Sequence, residues 1–151
     1  MIIRRDALIL VADGRRYLLL RNRGDLNAPK LVYEGSGQKE NPPTASQGSD
    51  RPGRAFESTG AMRSAVEQTD FHQLEEDRFA ATVAEMLDRL ARAGDFSELV
   101  VVAPPRCLAE LRAHYTRPVS AALVAEVAKD LTRHPVSEIA GILGREGEEA
   151  A

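Results

Sequence analysis

Two arginines straddle a Pro-Gly turn in Asp50-Arg51-Pro52-Gly53-Arg54, and Arg63 follows just before a helical stretch. A guanidinium is a planar fork of donors that grips phosphate or carboxylate in bidentate fashion, and glycine lets a backbone approach closely. Arg51, Pro52, Gly53, Arg54 and Arg63 therefore read as a clamp for an anion, an RNA backbone or a partner protein. A solvated loop with Arg54 paired to Glu57 accounts for the same residues without a ligand.

Other residues offer catalytic chemistry and then fall short of it. Asp13 ends an apolar run, and Glu75, Glu76 and Asp77 lie in a helical pattern, as the carboxylates of a metal-dependent nuclease would. Two-metal hydrolysis needs several carboxylates converging on ions about 4 Å apart. The apolar run Leu99 to Ala103, however, leads into Pro104-Pro105-Arg106 with no acid. Asp13-Gly14 is also what a tight turn requires. Cys107 follows two prolines at a helix start, where amide donors activate a thiol, and His114 is the nearby base. Their separation is roughly two helical turns, and a small buried thiol explains Cys107 as well. His72 and Glu76 stand four apart, yet there is no Cys-x-x-Cys or His-x-x-x-His, so no metal and no cofactor is expected. In Gly35-Ser36-Gly37-Gln38 the glutamine is a polar tip, and no Gly-Lys-Ser/Thr follows to make a phosphate loop. Asp13, Gln38 and Arg106 remain as secondary candidates.

The elements that must position these residues follow from apolar spacing. Ala7 to Ala12 and Tyr17 to Leu20 read as a hairpin around Asp13-Gly14, with Lys30 to Tyr33 as a third strand. Apolar periodicity then stops, which predicts a long loop over about 35–68. A helix is predicted from Asp70, which can cap it with Gln73 three residues on, to just before Gly94. Leu99 to Ala103 reads as a strand buried on both faces, and Leu108, Leu111 and Arg112 as a helix. Val119 to Leu131 fits both helical and strand spacing. Pro135 opens a closing helix that Gly144 is expected to end, leaving an acidic, flexible tail at 145–151. If Val119 to Leu131 holds a strand, the order is βββαβαβα. That is a single α/β domain over 1–144 with a mixed five-stranded sheet, the ribonuclease H-like arrangement.

Composition narrows the function classes. With 151 residues, 43% hydrophobic and 28% charged, the chain suits one globular domain that needs no disulfide. The single cysteine, Cys107, fits a reducing, cytoplasmic setting. A formal net charge of -3 argues against indiscriminate duplex binding and leaves room for a local basic contact. The apolar run after Arg4 and Arg5 is too short for a secretion signal or a membrane span, so no membrane insertion is expected.

Taken in order, Val11-Ala12-Asp13-Gly14, Asp50-Arg51-Pro52-Gly53-Arg54, Phe79-Ala80, Leu99 through Arg106 and Lys129-Asp130-Leu131-Thr132 resemble the bacterial host attachment protein family. That family is in turn similar to the central domain of archaeal and eukaryotic class 1 release factors and their ribosome-rescue relatives. The resemblance covers nearly the whole chain. It implies a ribonuclease H-like fold, a strand before Leu131, and a role connected with attachment to host cells. Release factors carry a Gly-Gly-Gln tip in the loop before their first long helix, and its glutamine positions water at the peptidyl-tRNA ester. This sequence lacks the tripeptide; Ser36-Gly37-Gln38 is the nearest match, placed directly after the third strand. The expectation is a non-catalytic cytoplasmic domain whose arginine loop contacts the ribosome or structured RNA and affects attachment indirectly. The alternatives are a metal-dependent nuclease or ester hydrolase, and a protein-protein interaction domain using Phe56 with the flanking arginines.

Overall fold

Leu8–Ala12 (β1) and Leu99–Ala103 (β4) are built almost wholly from branched aliphatic residues, and every residue of both is buried. Strands without a polar face must be covered on both sides, so these two pair in parallel at the sheet centre, with Leu8 beside Leu99 and Val11 beside Val102. The computed structural model describes residues 2–26, 28–38 and 61–150, the side chains of 61–71 and 147–150 excepted. In it, Arg16–Asn22 (β2) pairs antiparallel with β1, Leu31–Gln38 (β3) antiparallel with β2, and Leu123–Ala128 (β5) parallel with β4. The strand order β3-β2-β1-β4-β5 is a mixed five-stranded sheet of ribonuclease H-like type.

The two faces of the central strands carry different cores. Leu8, Leu10, Ala12, Leu99, Val101 and Ala103 point to one side. There they meet Phe79, Val83 and Leu87 of the long helix Ala61–Arg92 (α1), Leu108 and Leu111 of Pro105–Arg112 (α2), and Val119 of Arg117–Ala122 (α3). Ile9, Val11, Val100 and Val102 point to the other side, onto Ile139 and Leu143 of Val136–Ala150 (α4). One polar tie crosses the sheet end opposite the β1–β2 turn. The buried Arg21 guanidinium donates to Glu34 Oε1 (3.0 Å), Asp95 Oδ2 (2.6 Å) and the Asp6 and Asp95 carbonyls. It joins β2, β3 and the turn after α1, and its burial is offset because every bond ends on a charged or carbonyl acceptor.

Four boundaries differ from the sequence expectation. The third strand runs to Gln38, so Gly35-Ser36-Gly37-Gln38 is strand and not the start of a loop: Tyr17 faces Gly37 and Arg16 faces Gln38 after a register shift at Leu19/Leu20. An edge strand needs only backbone partners on one side, so the pairing overrides the poor strand propensity of glycine. The first helix begins at Ala61, which places Asp70 inside it and not at its cap. The intervening Ala61, Met62, Ala65, Glu67 and Gln68 are good helix formers that extend the pattern upstream. The ambiguous stretch divides at Ala122, helix before and strand after, so the order is βββαβααβα. The closing helix passes through Gly144 to Ala150, and Lys129 Nζ holds Glu146 at 3.4 Å within the part expected to be a tail. No described helix is long and apolar enough to cross a membrane.

Leu10 is fully buried against the α1 side of the sheet. Leu10→Ala is expected to lower unfolding free energy by about 2–5 kcal/mol in chemical denaturation. A loss below about 1 kcal/mol would contradict the central position of β1.

Candidate functional site

Three loops meet at the carboxyl ends of the parallel strands, the usual place for a ligand in an open α/β sheet. After β1, Asp13 Oδ1 accepts hydrogen bonds from the backbone N–H groups of Arg15 (2.8 Å) and Arg16 (2.9 Å), while Gly14 takes a φ of +96°. A side chain at Gly14 would be strained by that angle and would meet the Glu76 carboxylate. Asp13 Oδ2 lies 3.0 Å from the Thr132 hydroxyl and 3.7 Å from Arg16 Nε. Thr132 Oγ1 also sits 2.9 Å from Asp130 Oδ1, and its single proton serves one carboxylate at a time. Asp13 is thus a turn former that stitches the first hairpin to the loop after β5. Thr132, buried and central to that stitch, was visible in sequence only as part of a resembling segment.

The remaining acids of this rim do not converge for hydrolysis. Glu76 approaches Gly14, while Asp77 Oδ1 lies 3.2 Å from His114 Nε2. Among the described residues no three His, Cys, Asp or Glu side chains form a group suited to a metal ion. Glu110 accepts a 2.8 Å hydrogen bond from Gln73 Nε2, and burial, followed by the nearby Glu76 carboxylate, raises its pKa. Arg106, exposed at the start of α2, lies within the field of that carboxylate and opposes the rise.

Cys107 is buried at the same helix start. Burial foremost, then the Glu110, Asp13 and Glu76 carboxylates, push its thiol up to about 12, against one favourable hydrogen bond from the Gly14 backbone. His114 is turned toward Asp77 on α1 and does not serve as its base. The thiol is a packing group in an acid-ringed niche, the opposite of an activated nucleophile.

The arginine loop Arg51, Pro52, Gly53, Arg54 lies outside the described residues. Arg63 falls within the first turn of α1 and not before it; its side chain is likewise outside them. Gln38 is the last residue of β3, exposed, opposite Arg16. It borders a cleft of about 380 Å³ between the β2–β3 edge and α1. Tyr17 and Phe79 form the cleft's aromatic floor, with ring centroids 6.3 Å apart and planes at 43°. Gly37 permits this: a Cβ there would lie 2.5 Å from the Tyr17 ring. On the α1 wall, Arg78 pairs with Glu75 at 3.1 Å, and the Thr82 hydroxyl donates to the Arg78 carbonyl. The sequence did not disclose this cleft. Tyr17 reads as an ordinary strand residue until its pairing with Gly37 is known.

The fold defines a ribonuclease H-like α/β domain with Asp13 and Thr132 tied together at its carboxyl-end rim. Within that class, a family model for bacterial archaeo-eukaryotic release factor family 12 matches residues 6–143. The chain belongs to that family. The match bears on the release-factor side of the resemblance and does not extend to the host attachment name. Comparison with curated proteins gives no match.

At about pH 8, near the pKa of an ordinary thiol, native Cys107 is expected to be alkylated far more slowly than the same residue in denaturant. The raised pKa means that the unfolded chain releases its proton first. The thiol's contribution to stability therefore falls as pH climbs from the ordinary thiol range toward about 12. Equal alkylation rates in the native and denatured chain would contradict the buried, protonated thiol.

Proposed function

We propose that this chain is a release-factor-like binding domain that contacts the ribosome or structured RNA and does not itself catalyse peptide release. The observation that carries the reading is the family match over 6–143 in a chain that has no Gly-Gly-Gln tripeptide. The contact set is Arg51, Pro52, Gly53, Arg54 and Arg63, in the segment that joins edge strand β3 to α1. Two guanidiniums across a Pro-Gly turn suit phosphate oxygens, and a local contact of this kind is compatible with a net charge of -3.

The engagement of Asp13 with its own turn and with Thr132 supports a binding role over a nuclease. Gln38, on an edge strand facing Arg16, supports recognition more than ester hydrolysis. Arg106 is a secondary anion contact at the carboxyl-end rim. Action on ribosomes places the protein in the cytoplasm, and any effect on attachment to host cells is then indirect, through translation.

Gradient sedimentation of tagged protein in cell lysate, with and without ribonuclease, tests this reading. The native chain is expected to migrate with ribosomal fractions, and Arg51→Glu/Arg54→Glu, once shown to fold, is expected to return to the top of the gradient. Migration of both as small free proteins would overturn the reading in favour of a protein partner. Divalent-metal-dependent RNA cleavage lost in Asp13→Asn would overturn its non-catalytic part.

A further inference from the structure

The cleft between the β2–β3 edge and α1 has a composition that the arginine loop does not explain. Its floor is aromatic, its walls carry one amide and one internally neutralised ion pair, and it opens to solvent. We infer that it holds a single unstacked nucleobase of an RNA strand. The inference rests on the RNA-contacting reading above and adds what the site recognises.

Three features select a flat, neutral heteroaromatic ligand. Tyr17 is half-buried and lines the opening, so its ring is a stacking surface, braced behind by Phe79. The bare backbone of Gly37 fixes the ring's height, because any side chain there would displace it. Splayed RNA bases are bound by stacking on aromatic rings or guanidinium planes together with hydrogen bonds to their edges. The cleft supplies both: Arg78 is an exposed planar cation on the facing wall, and the Gln38 amide offers a donor and an acceptor on the strand side. The Tyr17 hydroxyl adds a further polar handle at the cleft.

Charge decides between base and phosphate. Arg78 already pairs with Glu75 at 3.1 Å, so the α1 wall presents no net positive charge. A phosphate would be repelled by that carboxylate, whereas the amino groups of a base can donate to it. The volume, about 380 Å³, lies at the small end of ligand clefts and suits one nucleoside rather than a run of bases.

The test uses the full-length protein and unphosphorylated nucleosides, which do not engage a phosphate clamp. Amide chemical shifts are followed during titration with adenosine, guanosine, cytidine and uridine. Saturable shifts centred on Gly37, Gln38, Arg78 and Thr82 are expected. Tyr17→Leu, which removes the stacking ring and keeps an apolar side chain beside Phe79, is expected to weaken binding roughly tenfold or more, the scale of one lost base–aromatic stack. Ser137→Leu, on an exposed position of α4, is the control and is expected to bind like the native chain. Absence of shifts at these residues, or binding that a folded Tyr17→Leu leaves unchanged, would overturn the inference. Ribosome sedimentation of the same samples separates the two readings. Nucleoside silence with sedimentation intact removes only the base site, and nucleoside binding without any RNA association overturns the RNA reading and with it the assignment of the base to an RNA strand.

Discussion

The parallel pairing of β1 with β4 is the constraint on which the architecture depends. Leu8 to Ala12 and Leu99 to Ala103 have no residue that tolerates water, so neither can stand at an edge or face solvent. The antiparallel β2 and β3 cover one flank and β5 the other. The alternation of side chains then demands a helical layer on each face, α1 to α3 on one and α4 on the opposite. Because the two strands run the same way, the connection between them must cross over the sheet. That crossover is α1, and its length lets one face seal the core through Phe79, Val83 and Leu87 while another forms the wall of a solvent cleft.

Polar chemistry is divided between the two ends of the strands according to what each must hold. At the carboxyl ends, Asp13, Thr132 and Asp130 tie two loops together, and the Asp13 carboxylate accepts from Arg15, Arg16 and Thr132. At the opposite end, Arg21 does similar work with Glu34 and Asp95. Both are buried or half-buried networks built from bonds within the fold, and such groups fix register more than they bind ligands. The cleft by Tyr17 differs, because its polar groups are exposed and its floor is aromatic. On the binding role proposed above, that contrast favours recognition beside β3 over the rim.

Much of the fold was legible because the core strands leave few alternatives. Two runs of buried aliphatics, an Asp-Gly turn and a helix with apolar residues at Phe79, Val83 and Leu87 point to an α/β sheet, and the structure has that sheet. What sequence periodicity could not show depends on partners distant in the chain. The strand character of Gly35 to Gln38 comes from backbone pairing to β2, and the start of α1 at Ala61 comes from helix formers lacking a periodic apolar stripe. The division of Val119 to Leu131 into a helical turn and a strand lay beneath two equally good periodicities. The site was less legible than the fold. Asp13 and Cys107 were readable as chemistry, and only the structure shows their neighbours, Thr132 for the first and Glu110 and Glu76 for the second.

The central claim is that this domain meets RNA along β3, the arginine segment and the neighbouring face of α1. Ultraviolet crosslinking in living cells, followed by mass spectrometry of the crosslinked peptides, tests it most directly. The account predicts nucleotide adducts on peptides from β2, β3, the loop and α1, with Tyr17 of β2 or residues near Gln38 among the modified positions. Adducts confined to the α4 face, or a protein recovered with no crosslinked nucleotide, would contradict it.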